Sequence, residues 1–489
     1  MNPDAPLPTP PLDFLPLLPE LILLGFGVIA LIAGTFVRKR SHTAQLPLML
    51  LTLAGFTTSA AASILLWNRE GDATVLGGMI GTDRFSVAGR LIILAIGALG
   101  AVLAFHYFSR TQDPRAEFWA LLLFSVLGMT LIVAAADLIV VFLALEILSL
   151  SLYVMTAFGW QVGSTEAAMK YFLLGAFSSA FFLFGVSFAY GASGSTNIGE
   201  LALSLTDPGS QALALVAAGF LLIGFGFKVS LVPFHMWTPD VYQGAPTSVT
   251  AFMAAGTKVA AFLALTRVFT VAFQPLTWDW RPVIVAVAVV SMVGGSILAI
   301  AQTDVKRMLA YSSVAHAGFI LTGLTSADQV GIEAVLYYLV AYAVSVIGAF
   351  GVVMLASGNA LERSSYASFR GLAKRSPVLA GLLTLFLLSL SGIPPTVGFV
   401  GKVGVFSAAV GAGYWWLAMI GVLASAIAAF FYLRVVVMMY MQEPEGDAVA
   451  DDAALPRWTL AVPAVLTLVL GVFPGLILGL LEEASILRW

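Results

Sequence analysis

Fourteen stretches of this chain are apolar over most of a bilayer's width, some only in part. They lie near residues 17–37, 45–67, 86–108, 116–135, 137–159, 166–190, 211–232, 247–273, 282–302, 306–324, 331–356, 377–409, 413–441 and 457–480. A helical crossing takes about 20 such residues. Hydrocarbon offers the backbone no partners, so runs of this length must bond internally as helices. The fourth and fifth runs nearly touch across Ala134–Asp137. Connections are short; the largest lie near 191–210, 357–376 and 442–456, the last an acidic segment, QEPEGDAVADDAALP, that reads as a solvated loop. The chain therefore reads as an all-α polytopic membrane protein with about fourteen transmembrane helices and no large extramembrane domain. Of its 489 residues 60% are hydrophobic and 10% charged, against about 25% charged in soluble domains.

Several classes drop out. A net charge of −3 makes no case for nucleic-acid binding. Cysteine is absent, which excludes Cys-ligated iron–sulfur clusters and disulfides. The four histidines are scattered in no metal-binding spacing, and no glycine-rich nucleotide motif follows a strand. The head, MNPDAPLPTPPLDFLPLLPE, has no basic segment and reads as a Pro-rich lead into the first helix rather than a signal peptide.

Loop charges set an orientation. Arg38, Lys39, Arg40, Arg110, Arg115, Lys306, Arg307, Arg363, Arg370, Lys374, Arg375 and Arg457 follow odd-numbered runs; Arg69, Arg84 and Arg281 follow even-numbered ones. Basic loops stay cytoplasmic. The expectation is a multi-pass protein with both termini on the face opposite the cytoplasm.

Of seven lysines, Lys39, Lys306 and Lys374 sit in basic loops, while Lys170, Lys228, Lys258 and Lys402 sit in apolar runs. A cation at the bilayer centre costs at least ~2.5–3.5 kcal/mol. The buried cations read as lysines, and lysine, unlike arginine, can give up its proton in a low-dielectric setting. That choice fits proton transfer. Glu146, mid-way along the fifth run, is the acidic counterpart. Lys170 lies close to a helix start, from which it can snorkel to the interface. His235 and His316 are the other titratable groups at membrane depth. Asp137 and Asp240 fall near helix ends.

Two runs are broken. In FKVSLVPFHMWTPDVYQGAPT, Lys228 precedes Pro233; in SLSGIPPTVGFVGKVGVF, Gly392, Pro394 and Pro395 precede Lys402. Proline removes a backbone donor and breaks the helix ladder. Paired interruptions in corresponding halves, with the lysine on opposite sides of the break, are the pattern of an inverted repeat around an ion path.

The segments FLALEILSLSLYVMTAF, TEAAMKYFLLGAFSSAFFLFG, FGFKVSLVPFHMWTPDVYQGAPTSVTAFMAAGTKVAAF, DVKRMLAYSSVAHAGFIL and SGIPPTVGFVGKVGVF cover most of residues 120–440. They resemble the antiporter-like membrane subunits of respiratory complex I, bacterial NADH:quinone oxidoreductase. The N-terminal runs and the 442–456 loop match poorly. Three features favour one member of the family: the TEAAMKYFLLGAFSSA segment, Lys402 where subunit M carries a glutamate, and an end soon after the last run, without the lateral helix of subunit L.

The resemblance implies three N-terminal helices (1–115), an antiporter-like bundle of runs four to eight (116–275), an inverted copy of runs nine to thirteen (276–441), and a C-terminal part (442–489). It implies proton translocation along the mid-plane. Glu146 corresponds to a glutamate paired with the broken-helix lysine, Lys228; Lys258 to a central connecting lysine; Lys402 to the lysine of the second half-channel; His316 to a link between halves. Lys170 matches a further position of less defined role. NADH, FMN, iron–sulfur clusters and quinone are then expected in partner subunits, with none in this chain. The expected neighbours are subunit M, the small subunits K, J and A, and lipid. A subunit of a multi-subunit Na⁺/H⁺ antiporter is the alternative. A passive scaffold, whose charges only pair helices, is the third reading.

Overall fold

A computed structural model describes residues 13–36, 45–69, 71, 73–109, 115–159, 162–357, 364–444 and 454–488. Most of the Pro-rich head, the basic residues Arg38, Lys39, Arg40, Arg110 and Arg363, and positions 445–453 of the acidic loop lie outside the described residues.

The helices are α1 (Leu18–Phe36), α2 (Gln45–Leu65), α3 (Arg84–Phe108), α4 (Glu117–Ala134), α5 (Leu138–Thr156), α6 (Val162–Ser193), α7 (Ile198–Ser204), α8 (Pro208–Val229), α9 (Trp237–Gly244), α10 (Thr247–Arg267), α11 (Thr277–Ile300), α12 (Val305–Gly323), α13 (Gln329–Ala356), α14 (Tyr366–Phe369), α15 (Leu372–Arg375), α16 (Pro377–Ser391), α17 (Val397–Gly411), α18 (Trp415–Met441), α19 (Ala454–Val472) and α20 (Gly475–Ala484). A two-stranded hairpin, Thr74–Val75 with Ile80–Gly81, is the one sheet among the described residues. Twelve helices there are long and apolar enough to cross a membrane. The bent pair α19–α20, counted as one span, makes thirteen, and α16 and α17 are apolar helices of shorter length.

Acidic and amide side chains start many of these helices. Asp83, Asp137, Asn197, Asp207, Asp304 and Asp328 each accept from a backbone N–H of the first turn. Each such cap is worth about 1 kcal/mol. Asp137 thus separates α4 from α5, and Asp240 lies on the short helix α9.

α10 forms the axis of the molecule: every one of its residues is buried, as a helix surrounded by helices must be. It packs on α13, α3 and α4, and α12 and α17 close around α13. The short helix α9 packs between α6 and α12. The interior therefore runs from α5, α6 and α8 through α10 to α12, α13, α16 and α17.

The structure corrects three expectations. The last run is no straight crossing: at Phe473–Pro474 it bends by 86° into α20, because the proline cannot continue the ladder. Lys306 is not a loop residue in solvent; it is buried and its Nζ donates to Ala245 O at 2.7 Å. Nor are the buried cations all lysines. Arg90 is buried against Glu20, with Nε–Oε1 at 2.8 Å, and Arg267 against Asp83 at 2.8 Å. Both arginines are held by carboxylates.

Candidate functional site

Four titratable side chains lie buried along the interior: Lys228, Lys258, His316 and Lys402. None makes an ion pair with a carboxylate among the described residues, in contrast to Arg90 and Arg267.

The first break places Lys228. α8 ends at Val229 with Ser230 in the left-handed region, φ 64°. The chain then turns through a cis Val232–Pro233 bond into α9. The groups freed by the break find new partners. Trp237 Nε1 donates to Phe227 O at 2.8 Å, Thr238 Oγ1 to Ser230 Oγ at 2.7 Å, and Val232 N to Ser291 Oγ at 3.0 Å. Lys228, in the last turn of α8, faces the rings of Tyr153 and Tyr171, each centroid 5.4 Å from Nζ. Contacts of this kind favour a cation.

Glu146 and Lys228 do not meet as an ion pair. Glu146 accepts a hydrogen bond from the Ser179 hydroxyl, and Lys228 Nζ has no hydrogen-bond partner among the described residues. The carboxylate is nonetheless close enough for its charge to act on Lys228.

Lys258, on α10, donates to both the carbonyl and the hydroxyl of Ser313, the latter at 2.6 Å. Its ammonium lies 5.2 Å from the ring of Tyr342, whose hydroxyl also donates to Ser313 Oγ, at 2.9 Å. His316 follows one turn along α12. Its Nδ1 pairs with Tyr338 Oη at 3.0 Å and its Nε2 with Tyr432 Oη at 3.2 Å. Tyr432 also bonds Ser312. Beyond His316, Phe319 lies 5.7 Å away ring to ring, and Lys402 Nζ lies 4.6 Å from the centroid of the Phe319 ring. His316 thus stands between Lys258 and Lys402, and both charges act on it.

The second break places Lys402. α16 ends at Ser391 and is capped by Gly392, φ 83°, a conformation that a side chain would strain. The Lys402 stem lies against that glycine, where a Cβ would come within 2.7 Å of Cδ. Its ammonium donates to Ser391 O at 2.8 Å and Ser425 Oγ at 3.0 Å. The last carbonyls of α16 so acquire a donor that the break would otherwise deny them.

Two expected site residues lie off this line. Lys170 is interfacial, its side chain 43% exposed, paired with Asp240 and Glu166, both at 2.8 Å. Asp240 also accepts from Arg307 at 2.7 Å. This cluster borders an open polar cavity of about 280 Å³ shared with Ser164 and Gln243. His235 lies half-buried in the loop of the first break, its ring 6.3 Å from Tyr311, and bonds none of the lysines. The hydroxyls of Ser313, Tyr338, Tyr342 and Tyr432 went unread in the sequence. Their one signal was spacing: Tyr338 and Tyr342 are four apart, as are Ser312 and His316, so each pair shares a helix face.

An all-helical membrane bundle with two broken crossings and a buried lysine line defines an antiporter-like polytopic membrane subunit. Residues 135–428 match the family model described as NADH:quinone oxidoreductase/Mrp antiporter, TM. NADH-quinone oxidoreductase subunit N of Acidothermus cellulolyticus is 44% identical, over 99% of this chain and 98% of that protein. Subunit N 1 of Solibacter usitatus is 40% identical, over 97% and 98%. Among solved structures, a chain of respiratory complex I from Thermus thermophilus with bound aureothin is 34% identical, with a TM-score of 0.80 over 94% of this chain and 99% of that one. A chain of the archaeal membrane-bound sulfane sulfur reductase superposes with a TM-score of 0.86 at 26% identity, over 97% of each chain. The chain belongs to the subunit N family of NADH-quinone oxidoreductase.

Proposed function

We propose that this chain is a proton-translocating membrane-arm subunit of a NADH:quinone oxidoreductase, moving protons in response to electron transfer in partner subunits. One observation carries the reading. The buried arginines are paired with carboxylates, whereas among the described residues Lys228, Lys258 and Lys402 make no ion pair and contact hydroxyls, carbonyls and aromatic rings. A cation held this way is free to lose its proton at little electrostatic cost to a partner. Hydroxyls of Ser313, Tyr342, Tyr338 and Tyr432 can both accept and donate, as a relay requires.

In this reading residues 116–275 and 276–441 act as paired half-channels, and Glu146 sets the charge state of Lys228. With Glu146 ionised, the ammonium is favoured; withdrawal of that charge sends the proton towards Lys258. His316 passes it to the second half, where Lys402 receives it. The redox groups lie in partner subunits. The neighbours inferred from the family are subunit M and the small subunits K, J and A, in a bacterial inner membrane with the termini periplasmic.

The test is NADH-driven proton pumping by the complete complex in Na⁺-free proteoliposomes. Wild-type pumping there, lost in Lys228→Met and Lys258→Met complexes that retain NADH oxidation by an artificial acceptor, is the expected result. Pumping that requires added Na⁺ points instead to cation/proton antiport, and normal pumping by both variants to a scaffold.

A further inference from the structure

Three buried polar atoms lie without hydrogen-bond partners beside the first break. Lys228 Nζ, Tyr153 Oη and Tyr171 Oη make no hydrogen bond among the described residues. The two tyrosine rings meet edge to face at 4.7 Å, and the ammonium faces both. Native interiors satisfy nearly all such groups, so three together call for an explanation in function.

Helix α6 shows where Tyr153 is aimed. Its hydroxyl sits over Gly175, on a spot that a side-chain carbon would occupy. Glycine there makes room for the oxygen. One turn further along α6, Ser179 donates to Glu146. Residues four apart on a helix are about 6 Å apart along its axis. The Tyr153 hydroxyl and the Glu146 carboxylate therefore lie against successive turns of one helix. On α5, Tyr153 follows Glu146 by seven residues, about two turns, so the two share one face of the helix. Ser149 stands alongside between them, and the charge of Glu146 acts on Tyr153 and Lys228 alike.

We propose that the Tyr153 hydroxyl is the relay that carries protons between Lys228 and Glu146, with Ser179 holding the carboxylate in its receiving position. The proposal rests on the reading of Lys228 as a proton carrier with Glu146 as its charge partner, and extends it by making Glu146 a proton acceptor as well. In the transfer, the Lys228 ammonium gives a proton to the Tyr153 oxygen through one bridging water, as the phenolic proton leaves through a second for the Glu146 carboxylate. The phenol is regenerated. A positive and a negative group become two neutral ones, so total charge is conserved. Among the described residues the phenol makes no well-formed hydrogen bond, with the Ser149 hydroxyl as its near neighbour, so it is not held fast. The aromatic ring, in the same residue, steadies the ammonium before transfer.

The experiment uses the complete complex in sealed proteoliposomes, with pumping measured against NADH oxidation by an artificial acceptor. Tyr153→Phe keeps the ring and removes only the hydroxyl. It should lower pumping roughly tenfold or more, within the range of a lost proton-transfer group, with acceptor-linked oxidation retained. Replacing Tyr153 by 3,5-difluorotyrosine keeps shape and hydroxyl but makes the phenol more acidic, and should displace the pH profile of pumping. Wild-type pumping by Tyr153→Phe, or a difluorotyrosine profile that superimposes on wild type, overturns the relay. Should Tyr153→Phe fail to assemble, the fluorinated complex decides. Glu146→Gln is run in parallel. If it pumps normally, the underlying reading falls and the relay with it. If it loses pumping while the fluorinated complex is unaltered, only the relay falls.

Discussion

Lys228 and Lys402 occupy the same pole of their two broken crossings, although they lie on opposite sides of the breaks along the chain. Lys228 belongs to the last turn of α8. Lys402 belongs to α17 but reaches back to Ser391 O, the last residue of α16. Both ammonium groups therefore stand at a helix C-terminus, which carries about half a negative charge from its aligned peptide dipoles. A partial charge of this kind favours a cation without binding it as a carboxylate would. The two sites differ in one respect. Lys402 makes two hydrogen bonds, and Lys228 makes none among the described residues.

That difference predicts opposite effects on stability. Lys402→Met leaves the Ser391 carbonyl without a donor and should cost about 1–3 kcal/mol. Lys228→Met removes a buried charge that has no hydrogen bonds and should be neutral or stabilising, since burying such a group is itself costly. Both should abolish pumping. Thermal unfolding of the purified complexes distinguishes them, and equal destabilisation by the two substitutions contradicts the account.

Lys258 is the sharper test of proton transfer. Lys258→Arg keeps a cation near Ser313 and Tyr342 but one that does not deprotonate, its pKa lying above about 12. Pumping should be lost, whereas a purely electrostatic role predicts rescue. Lys258→Ala and Lys402→Ala lie in series on one line, so the double variant should pump little worse than the worse single one. Independent channels would give additive losses, as separate sites usually do.

The break itself is held by Trp237. Trp237→Phe removes the shorter of two donors to Phe227 O and leaves only Ser230 N, at 3.2 Å, at the end that carries Lys228. A loss of about 1 kcal/mol in stability is expected, together with reduced pumping. Pro233→Ala lets the segment approach a more regular helix and should lower pumping with near-normal complex abundance. Immunoblots of membranes against pumping per complex read both, and unchanged pumping in both removes the break from the mechanism.

The apolar runs, both breaks and the buried lysines were legible because each departs from what lipid tolerates. Lys228, Pro233, Gly392 and Lys402 are costly in hydrocarbon, and cost is visible in one dimension. The partners were not. Serines and tyrosines are cheap in an apolar helix, so Ser313, Tyr342 and Tyr432 left no mark until packing brought α12, α13 and α18 together. Arg90 and Arg267 fall within the limits of apolar runs but near no break, and Glu20 and Asp83, their counter-ions, are 70 and 184 residues away. Pairing over such separations follows from the tertiary fold alone. Lys306 was misplaced for the same reason: it stands at a helix start, and only the packing of α9 on α12 encloses it.

Orientation is open to direct labelling. The loop charges predict a cytoplasmic 357–376 connection, and Ser365 there is exposed. The chain has no cysteine of its own. A Ser365→Cys variant should react with a membrane-impermeant maleimide in inverted vesicles and stay unlabelled in intact cells. Labelling in intact cells reverses the topology.

The Asp83–Arg267 pair joins the start of α3 to the end of α10, the helix of Lys258, and its effect should depend on pH. Burial raises the Asp83 carboxyl, but the Arg267 charge and the hydrogen bonds from Arg267 and Ser86 outweigh it and hold the group below its ordinary 3.8. A carboxyl depressed in the folded state binds fewer protons there than in the unfolded chain. Its stabilisation is therefore complete above the ordinary value and fades as pH falls from about 4 through the folded value. At neutral pH, Asp83→Asn leaves Arg267 buried and unpaired, at a cost of about 3–5 kcal/mol. The difference in unfolding temperature between wild type and Asp83→Asn should be largest near pH 7 and narrow below pH about 4 as the wild-type carboxyl protonates. Pumping per assembled complex should change little, because the pair lies off the lysine line. A gap that stays constant to low pH would mean that Asp83 acts as a helix cap alone and that its charge does not hold Arg267.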